Sequence, residues 1–113
     1  MNNQEIATTQ RYTKNRSKLD IIAAILNVVN AREASKTRIM YGAYLSYEQI
    51  REYMPTLLDS NLVSLILYND GQSLYRIRER GLRFLELYGK VNEMIAREKR
   101  VGFVNADIFL ARW

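Results

Sequence analysis

The first strongly patterned stretch of the chain is an apolar stripe with helical spacing. Ser17 stands three residues before Asp20, which is the spacing of an N-terminal capping box, and the apolar pattern follows at once. A helix is therefore predicted over residues 17–31. Its apolar positions are Leu19, Ile21, Ile22, Ile25, Leu26, Val28 and Val29. Because a face this broad has to be covered, we expect a central, buried helix.

Two shorter amphipathic segments follow, separated by a turn of about three residues. The first covers residues 36–43, and the second begins at Tyr47, where Ser46 and Gln49 repeat the capping-box spacing. The inward positions of the second segment are Ile50, Met54, Leu57 and Leu58. With Leu45 filling the corner between them, the two segments have the pattern of a helix-turn-helix motif.

A proline lies inside the second of these segments. Pro55 lacks the N–H that would bond to the carbonyl of Arg51, and a proline in a helix interior costs about 3 kcal/mol. We therefore expect a kink or break near Met54 and a short third helix.

Beyond this motif the pattern changes to that of two strands, residues 62–69 and 72–77, with Asp70 and Gly71 between them. Asp-Gly is favoured in the two-residue type I′ turn, which needs positive φ at both positions. In the register set by that turn, Ile66 faces Tyr75. The face expected to lie on the helices carries Ile66, Tyr68, Tyr75 and Ile77, and the opposite face carries Leu65, Leu67 and Leu74.

A long amphipathic helix is predicted over residues 79–100, and Gly102 is the glycine expected just after its end. At 1.5 Å per residue it spans about 30 Å, more than a domain of this size covers. We therefore expect its apolar stripe to form a dimer interface. The predicted interface residues are Phe84, Leu87, Tyr88, Val91, Met94 and Ile95.

The composition narrows the possible functions. The chain has 113 residues, a length that suits one folded domain. It contains 0 Cys and 0 His, so the usual ligands of zinc, haem and iron-sulfur clusters are missing, as are Ser-His and Cys-His catalytic pairs. We expect no enzymatic activity, no metal and no cofactor.

The charge distribution permits a polyanionic partner. The formal net charge is +5, and residues 76–113 hold 9 basic and 5 acidic groups, whereas residues 35–75 hold 3 and 4. The start of the chain is polar and has no apolar core of a secretory signal, and no apolar run approaches the roughly 20 residues of a membrane span. A soluble, cytoplasmic protein with no membrane partner is expected.

The order of helix, helix-turn-helix, hairpin and helix is that of a winged helix-turn-helix domain, an α+β fold that is mainly α with a small β hairpin. Three stretches sharpen this: RSKLDIIAAIL at 16–26, KTRIMYGAYLSYEQIREYM at 36–54 and YRIRERGLRFL at 75–85. Over roughly residues 16–96 the chain resembles the archaeal winged-helix family of small dimeric DNA-binding proteins of about ten kilodaltons and related transcription regulators.

The resemblance implies a homodimer that binds double-stranded DNA, joined by its last helices packed antiparallel as a coiled coil. It also implies that the third helix enters the major groove. The expected organisation is a flexible basic arm at 1–16, a winged helix-turn-helix domain at 17–78, a dimerisation helix at 79–101 and an apolar tail at 102–113 that docks on the domain or on the partner chain.

Candidate DNA contacts fall on three elements, and each has a structural alternative. At the start of the second helix they are Lys36, Thr37 and Arg38; on the third helix Tyr47, Gln49, Arg51 and Tyr53; on the wing Gln72, Arg76 and Arg78. Glutamine and arginine side chains read adenine and guanine edges, and helix N-termini bind phosphate. Capping, solvation and pairing of Glu48 with Arg51 are the alternatives.

The sequence is also compatible with other functions. The same fold serves an architectural chromatin protein with little sequence preference, or a protein-interaction module in which the near-neutral third helix and the apolar outer wing face bind a partner. The 8 tyrosines suggest base stacking in single-stranded nucleic acid. We assign five of these tyrosines to the core or its rim instead, namely Tyr41, Tyr44, Tyr68, Tyr75 and Tyr88.

Overall fold

The computed structural model describes the backbone of residues 16–104 and the side chains of residues 16–95. Residues 16–104 contain four helices and one hairpin, so the predicted α+β class is confirmed. The elements are α1 (Lys18–Ala31), α2 (Lys36–Gly42), α3 (Tyr47–Asp59), β1 (Val63–Leu67), β2 (Ser73–Ile77) and α4 (Glu79–Val104). Residues 1–15 of the predicted arm and 105–113 of the predicted tail lie outside the described part.

The first three helices begin at serine caps. Ser17 and Ser46 form complete capping boxes with Asp20 and Gln49. Each serine hydroxyl accepts from the backbone N–H of the residue three positions later, and the side chain of that residue accepts from the backbone N–H of the serine. Ser35 caps α2 through its hydroxyl, which accepts from the N–H of Arg38 at 3.1 Å. Local sequence therefore fixes where these helices begin.

The core is built around α1, as its apolar pattern predicts. Most of the predicted stripe is buried, and Leu45 fills the corner between α2 and α3. Residues with essentially no exposure come from α1, α2, α3 and β1: Ile25, Leu26, Ile39, Ile50, Met54, Leu57 and Val63. Leu19 is a correction, because it is 55% exposed at the first turn of α1 and does not belong to the core.

Two helices end in the same left-handed turn. At the end of α2, Tyr44 has φ 57° and Leu45 N–H bonds to the carbonyl of Met40 at 2.9 Å. At the end of α3, Asn61 has φ 61° and Leu62 N–H bonds to the carbonyl of Leu57 at 2.9 Å. Both are Schellman motifs, in which the residue after the C-cap takes positive φ and the next residue buries an apolar side chain.

The expected break at Pro55 is wrong. The helix α3 continues past the proline to Asp59. Pro55 is exposed, so the carbonyl of Arg51 that loses its helical partner faces the solvent side. Met54 and Leu57 are buried on either side of the proline, and their packing holds both parts of the helix in place.

The hairpin turn is also a correction. Tyr68 N–H bonds to the carbonyl of Gln72 at 2.8 Å, and Gly71 N–H bonds to the carbonyl of Tyr68 at 2.9 Å. The loop therefore has three residues, 69–71, and of Asp70 and Gly71 the glycine alone has positive φ, 93°. This is a type I turn followed by a left-handed glycine, the common three-residue hairpin, and it replaces the expected type I′ turn.

The longer loop shifts the strand register by one residue. Leu65 pairs with Tyr75 and Val63 with Ile77, whereas the two-residue turn would pair Ile66 with Tyr75. Since side chains alternate between the two faces, the shift moves every β1 side chain to the opposite face from the one expected. Leu65 takes the position opposite Tyr75 that the two-residue turn assigns to Ile66, and Val63 is buried opposite Ile77. Strand β2 keeps its predicted inner residues, Tyr75 and Ile77.

The α4 helix is held against the domain by a close approach of two backbones. A Cβ added to Gly81 would collide with the carbonyl oxygen of Leu62 and lie 2.8 Å from Cγ1 of Ile77. Glycine is therefore required where the wing leads into the helix. The helix runs to Val104 and passes through Gly102, so the expected end before Gly102 is wrong.

Candidate nucleic-acid interface

The N-terminus of α2 presents the first group of candidate contacts. Lys36, Thr37 and Arg38 are all exposed, and their positions in the first turn place them beside the free backbone N–H groups of the helix. Ile39, the next residue of the same turn, is fully buried and anchors this end of α2 in the core. The arrangement can hold a phosphate group with backbone and side-chain donors together.

The exposed face of α3 presents the second group. Tyr47 and Arg51 are exposed one turn apart, and the Arg51 guanidinium lies 5.6 Å from the centre of the Tyr47 ring. That cation–π contact orients Arg51 along the helix surface and leaves its outer N–H groups available. The charge of the helix is not basic, because it also carries Glu48, Glu52 and Asp59.

The two other α3 candidates, Gln49 and Tyr53, make contacts within the domain. The side-chain oxygen of Gln49 accepts from the N–H of Ser46 at 3.0 Å, so part of its amide is already used in the capping box. Tyr53 is half-buried and packs against the core, contrary to the expectation that it lies outside the core stripe. Burial, followed by the charge of Glu52, raises the pKa of Tyr53.

The wing presents Gln72, Arg76 and Arg78, all exposed. Arg76 is engaged by the joint between α1 and α2, because its Nε donates to Oε2 of Glu33 at 2.7 Å and its Nη2 lies 2.6 Å from the same oxygen. The Tyr68 hydroxyl donates to the other carboxylate oxygen of Glu33 at 2.6 Å. The three side chains form a network that ties the wing to the helical part of the domain.

The wing network shifts the pKa of its members. Hydrogen bonds from Tyr68 and then from Arg76 lower the pKa of the Glu33 carboxyl, and the hydrogen bond to Glu33 raises the pKa of the Tyr68 phenol. Ala34, the next residue after Glu33, exchanges backbone hydrogen bonds with Tyr75, from N–H to carbonyl at 3.1 Å and back at 2.8 Å. The joint and β2 are therefore bonded through both backbone and side chains.

Several residues that matter at this surface escaped the sequence pattern. Arg16 Nη1 donates to the carbonyls of Ala43 at 2.9 Å and Tyr44 at 3.3 Å, so it caps the end of α2. The sequence pattern assigns Tyr41 and Tyr44 to the core or its rim, but both are exposed. A signal was present for Tyr44, because a helix that ends before Leu45 needs a left-handed residue there.

The apolar stripe of α4 divides into two parts. Phe84 and Tyr88 are half-buried, and their rings stack with centroids 6.2 Å apart. Phe84 packs against the core, and Tyr88 bonds to Asp20 of α1. The remaining predicted interface residues are exposed large apolar side chains: Leu87, Val91, Met94 and Ile95.

Neither a metal site nor a membrane span is found in the described part of the chain. Across the described side chains, His, Cys, Asp and Glu do not gather in any group of three or more that could hold a metal ion. Over the described residues, no helix has the length and apolar character needed to cross a membrane.

Comparison with known proteins identifies the fold family. A family model described as winged helix-turn-helix matches residues 15–96. The chain belongs to the winged helix-turn-helix family. The match covers almost the same residues as the resemblance found in the sequence. It includes the wing and the part of α4 whose side chains are described.

The winged helix-turn-helix relatives include archaeal proteins. The uncharacterized protein MJ0290 of Methanocaldococcus jannaschii is 34% identical over 84 residues, which is 74% of this chain and 37% of the relative. The chain thus spans little more than a third of that relative. Sso10a-2, a DNA-binding protein from Sulfolobus solfataricus, is 25% identical with a TM-score of 0.61, covering 75% of this chain and 90% of its own.

A bacterial structure shows the same fold at low identity. MepR of S. aureus, in a structure of its complex with DNA, matches with a TM-score of 0.59 at 7% identity, covering 99% of this chain and 97% of that one. At this identity the likeness shows the winged helix-turn-helix fold alone.

Proposed function

We propose that the chain is a double-stranded DNA-binding homodimer that acts as a transcription regulator in the cytoplasm, without enzymatic activity. The observation that carries this proposal is the orientation of α3. Its inward residues Ile50, Met54 and Leu57 are buried, so Tyr47 and Arg51 are held outward on a rigid helix. A recognition helix that enters the major groove needs this arrangement.

The neighbouring elements support the same interpretation. The N-terminus of α2, with Lys36 and Arg38 exposed, suits phosphates on one side of α3, and Arg78 supplies a cation at the base of the wing. Sso10a-2 and MepR, which share the fold, are DNA-binding and DNA-complexed respectively. On this proposal Gln49 and Arg51 contact bases, and Gln72, Arg76 and Arg78 approach the backbone or the minor groove.

The dimer part of the proposal rests on α4. Leu87, Val91, Met94 and Ile95 recur at helical spacing and are exposed, Met94 by 71%. A continuous apolar stripe on an exposed helix is stabilised by burial against another helix. A second copy of the same helix, packed antiparallel, would bury it and place two α3 helices on one side of a duplex.

Anisotropy titration tests this function. The full chain, with its mass in solution measured by light scattering, is titrated with a random-sequence duplex at about 50 mM and about 200 mM salt. We expect a dimer mass and a log-log salt slope of several units, since each neutralised phosphate contributes about −0.9. Monomer mass, or no duplex binding at low salt, would contradict the proposal.

A protein-interaction function is the second candidate, because one wing residue favours it. Leu67 is a large apolar side chain at the tip of β1, and it is 72% exposed. Salt-insensitive binding of a protein partner, with no duplex binding, would support this candidate. Equal affinity for all duplex sequences would instead support an architectural chromatin role.

A further inference from the structure

Three exposed tyrosines surround the turn between α2 and α3. Tyr41 is 70% exposed, Tyr44 83% and Tyr47 62%. We call these three residues the tyrosine surface. They follow one another at intervals of three residues, and the N–H of Tyr44 bonds to the carbonyl of Tyr41 at 3.3 Å, so the turn itself links them. Their rings are large, rigid and open to a ligand.

Tyr44 occupies a backbone position that suits other residues better. Its φ of 57° lies in the left-handed region, where glycine and asparagine are the favoured residues after a helix C-cap. The equivalent position at the end of α3 holds Asn61. Because the Tyr44 ring is mostly exposed, its packing does not compensate for the conformation. The ring therefore contributes little to folding at a position where a smaller residue would fold better.

Three arginines lie near the tyrosine surface, and one of them contacts a ring. Arg16 bonds to the carbonyls of Ala43 and Tyr44, and Arg51 lies over the Tyr47 ring. Arg38 and Tyr41 line one open groove of about 540 Å³ between α1 and α2. Its other lining residues are Val28, Ser35, Thr37 and Gly42. Exposed rings interleaved with arginines are the arrangement that binds the bases and phosphates of single strands.

We propose that the tyrosine surface binds single-stranded DNA by stacking its rings on unpaired bases. The proposal rests on the proposed function only in that the same chain binds DNA. A duplex hides the faces of its bases, so the exposed rings of Tyr41 and Tyr44, and the face of the Tyr47 ring that Arg51 does not cover, gain little from a duplex beyond hydrogen bonds to phosphate. The surrounding charge is also modest, because Glu48 and Glu52 stand among the cations of α2 and α3. Stacking, which tolerates any base, supplies the affinity that charge does not.

The first test compares bases with phosphates. The full chain is titrated by anisotropy with a labelled thymidine oligomer of about twelve nucleotides and with an abasic oligomer that has the same number of phosphates. We expect tighter binding of the thymidine oligomer, by about fivefold or more for each stacked base. Equal affinity for the two oligomers would overturn the proposal.

Ring-retaining variants provide the matched control. The triple variant Tyr41→Phe, Tyr44→Phe, Tyr47→Phe keeps the rings and is expected to keep the preference for thymidine over abasic oligomer. The corresponding triple leucine variant is expected to lose it, with an unchanged light-scattering mass. Leu67→Ala removes an equally exposed apolar side chain on the wing and is expected to change nothing. If the leucine variant keeps the preference, the tyrosine surface is not the site.

Tyr44→Gly separates stability from binding. Glycine takes positive φ without strain, so this variant is expected to melt at the wild-type temperature or above it. It lacks the ring and is expected to bind the thymidine oligomer several-fold more weakly. Asn61→Gly makes the matched change at the end of α3 and is expected to leave oligomer binding unchanged. Undiminished oligomer binding by Tyr44→Gly would exclude Tyr44 from the site.

A duplex titration distinguishes this inference from the proposed function. Wild type that binds the duplex but does not discriminate between the two single strands would retain the proposed function and overturn the inference. Wild type that prefers the thymidine oligomer and does not bind the duplex would support the inference and contradict the proposed function. A leucine variant that loses duplex binding alone would assign the tyrosine surface to the duplex site and overturn the inference.

Discussion

Tyr88 of α4 donates a hydrogen bond to Oδ1 of Asp20 at the start of α1. The other oxygen of the same carboxylate accepts from the N–H of Ser17 at 3.1 Å and completes the capping box of α1. One carboxylate therefore begins the first helix and holds the last one against it. The bond to Tyr88 is the largest cause of the lowered pKa of Asp20 and of the raised pKa of Tyr88.

Tyr88→Phe is expected to lower the free energy of unfolding at neutral pH by about 1 kcal/mol, the usual net value of such a bond. The deficit should shrink at both ends of the pH range. The lowered pKa of Asp20 means that its contribution is present above the ordinary carboxyl pKa, about 4, and is lost as pH falls further. The raised pKa of Tyr88 means that its contribution is lost as pH rises above about 10.

Urea unfolding of both proteins across this range measures the effect. Tyr41→Phe, which removes an exposed hydroxyl in α2, is the control and should match wild type at every pH. A deficit for Tyr88→Phe that stays constant from acid to alkaline pH would show that the hydroxyl stabilises the protein by some means other than Asp20.

Gly81 and Gly89 lie in the same helix but differ in their surroundings. A Cβ at Gly81 meets the Leu62 carbonyl and Ile77, whereas a Cβ at Gly89 meets nothing within 4 Å. We expect Gly81→Ala to destabilise by about 1–3 kcal/mol through overpacking. Gly89→Ala should stabilise by about 0.5–1 kcal/mol through helix propensity. Thermal unfolding of the two variants measures both effects. A Gly81→Ala variant more stable than wild type would disprove the close approach of the two backbones.

Glu33 restrains the arginine that the wing would otherwise offer to DNA. In Glu33→Gln the neutral amide no longer holds Arg76 as an ion pair, so we expect tighter duplex binding and a salt slope steeper by about one unit. Asp59→Asn at the end of α3 also removes one exposed negative charge and should leave the slope unchanged. If Glu33→Gln weakens binding, the network serves to hold the wing in place and Arg76 makes no phosphate contact.

The exposed part of the α4 stripe predicts where an added charge should most disturb dimer formation. Val91→Glu places a charge in the middle of the proposed helix pairing, where burying it unpaired costs several kcal/mol, so a monomer is expected. Light scattering at micromolar concentration measures the change. Leu67→Glu puts the same charge on the exposed wing and should keep the dimer mass. A dimeric Val91→Glu protein would move the interface away from α4.

Local signals predicted the helices well because they act over three or four residues. The capping boxes at Ser17 and Ser46 predict the first residues of two helices to within one residue of where the structure has them. Pro55 shows the limit of the same reasoning. Its local cost is real, but the buried neighbours Met54 and Leu57 belong to the whole domain and outweigh it.

The hairpin shows how one side chain changes a register. Asp-Gly predicted a two-residue turn, but the Asp70 carboxylate accepts from the N–H of Gln72 at 3.0 Å and stabilises the three-residue loop. The partners of Arg76 were equally hidden from the sequence pattern. Glu33 lies 43 residues away along the chain, and nothing in the local pattern of a short polar joint marks it as part of the wing.

Lys36 and Arg51 are expected to contribute to DNA binding in different ways. Lys36→Gln should weaken binding to all duplexes about equally and reduce the salt slope by about one unit per protomer, because a lysine at a helix N-terminus contacts phosphate. Arg51→Gln should cost about 1–3 kcal/mol on a preferred sequence and less on a random one, because an arginine on α3 reads a base edge. Lys90→Gln on α4 removes a positive charge away from α2, α3 and the wing and serves as the control. Anisotropy on both duplexes separates the cases: if Arg51→Gln weakens binding to the two duplexes equally, Arg51 is a phosphate contact, and α3 does not read sequence through it.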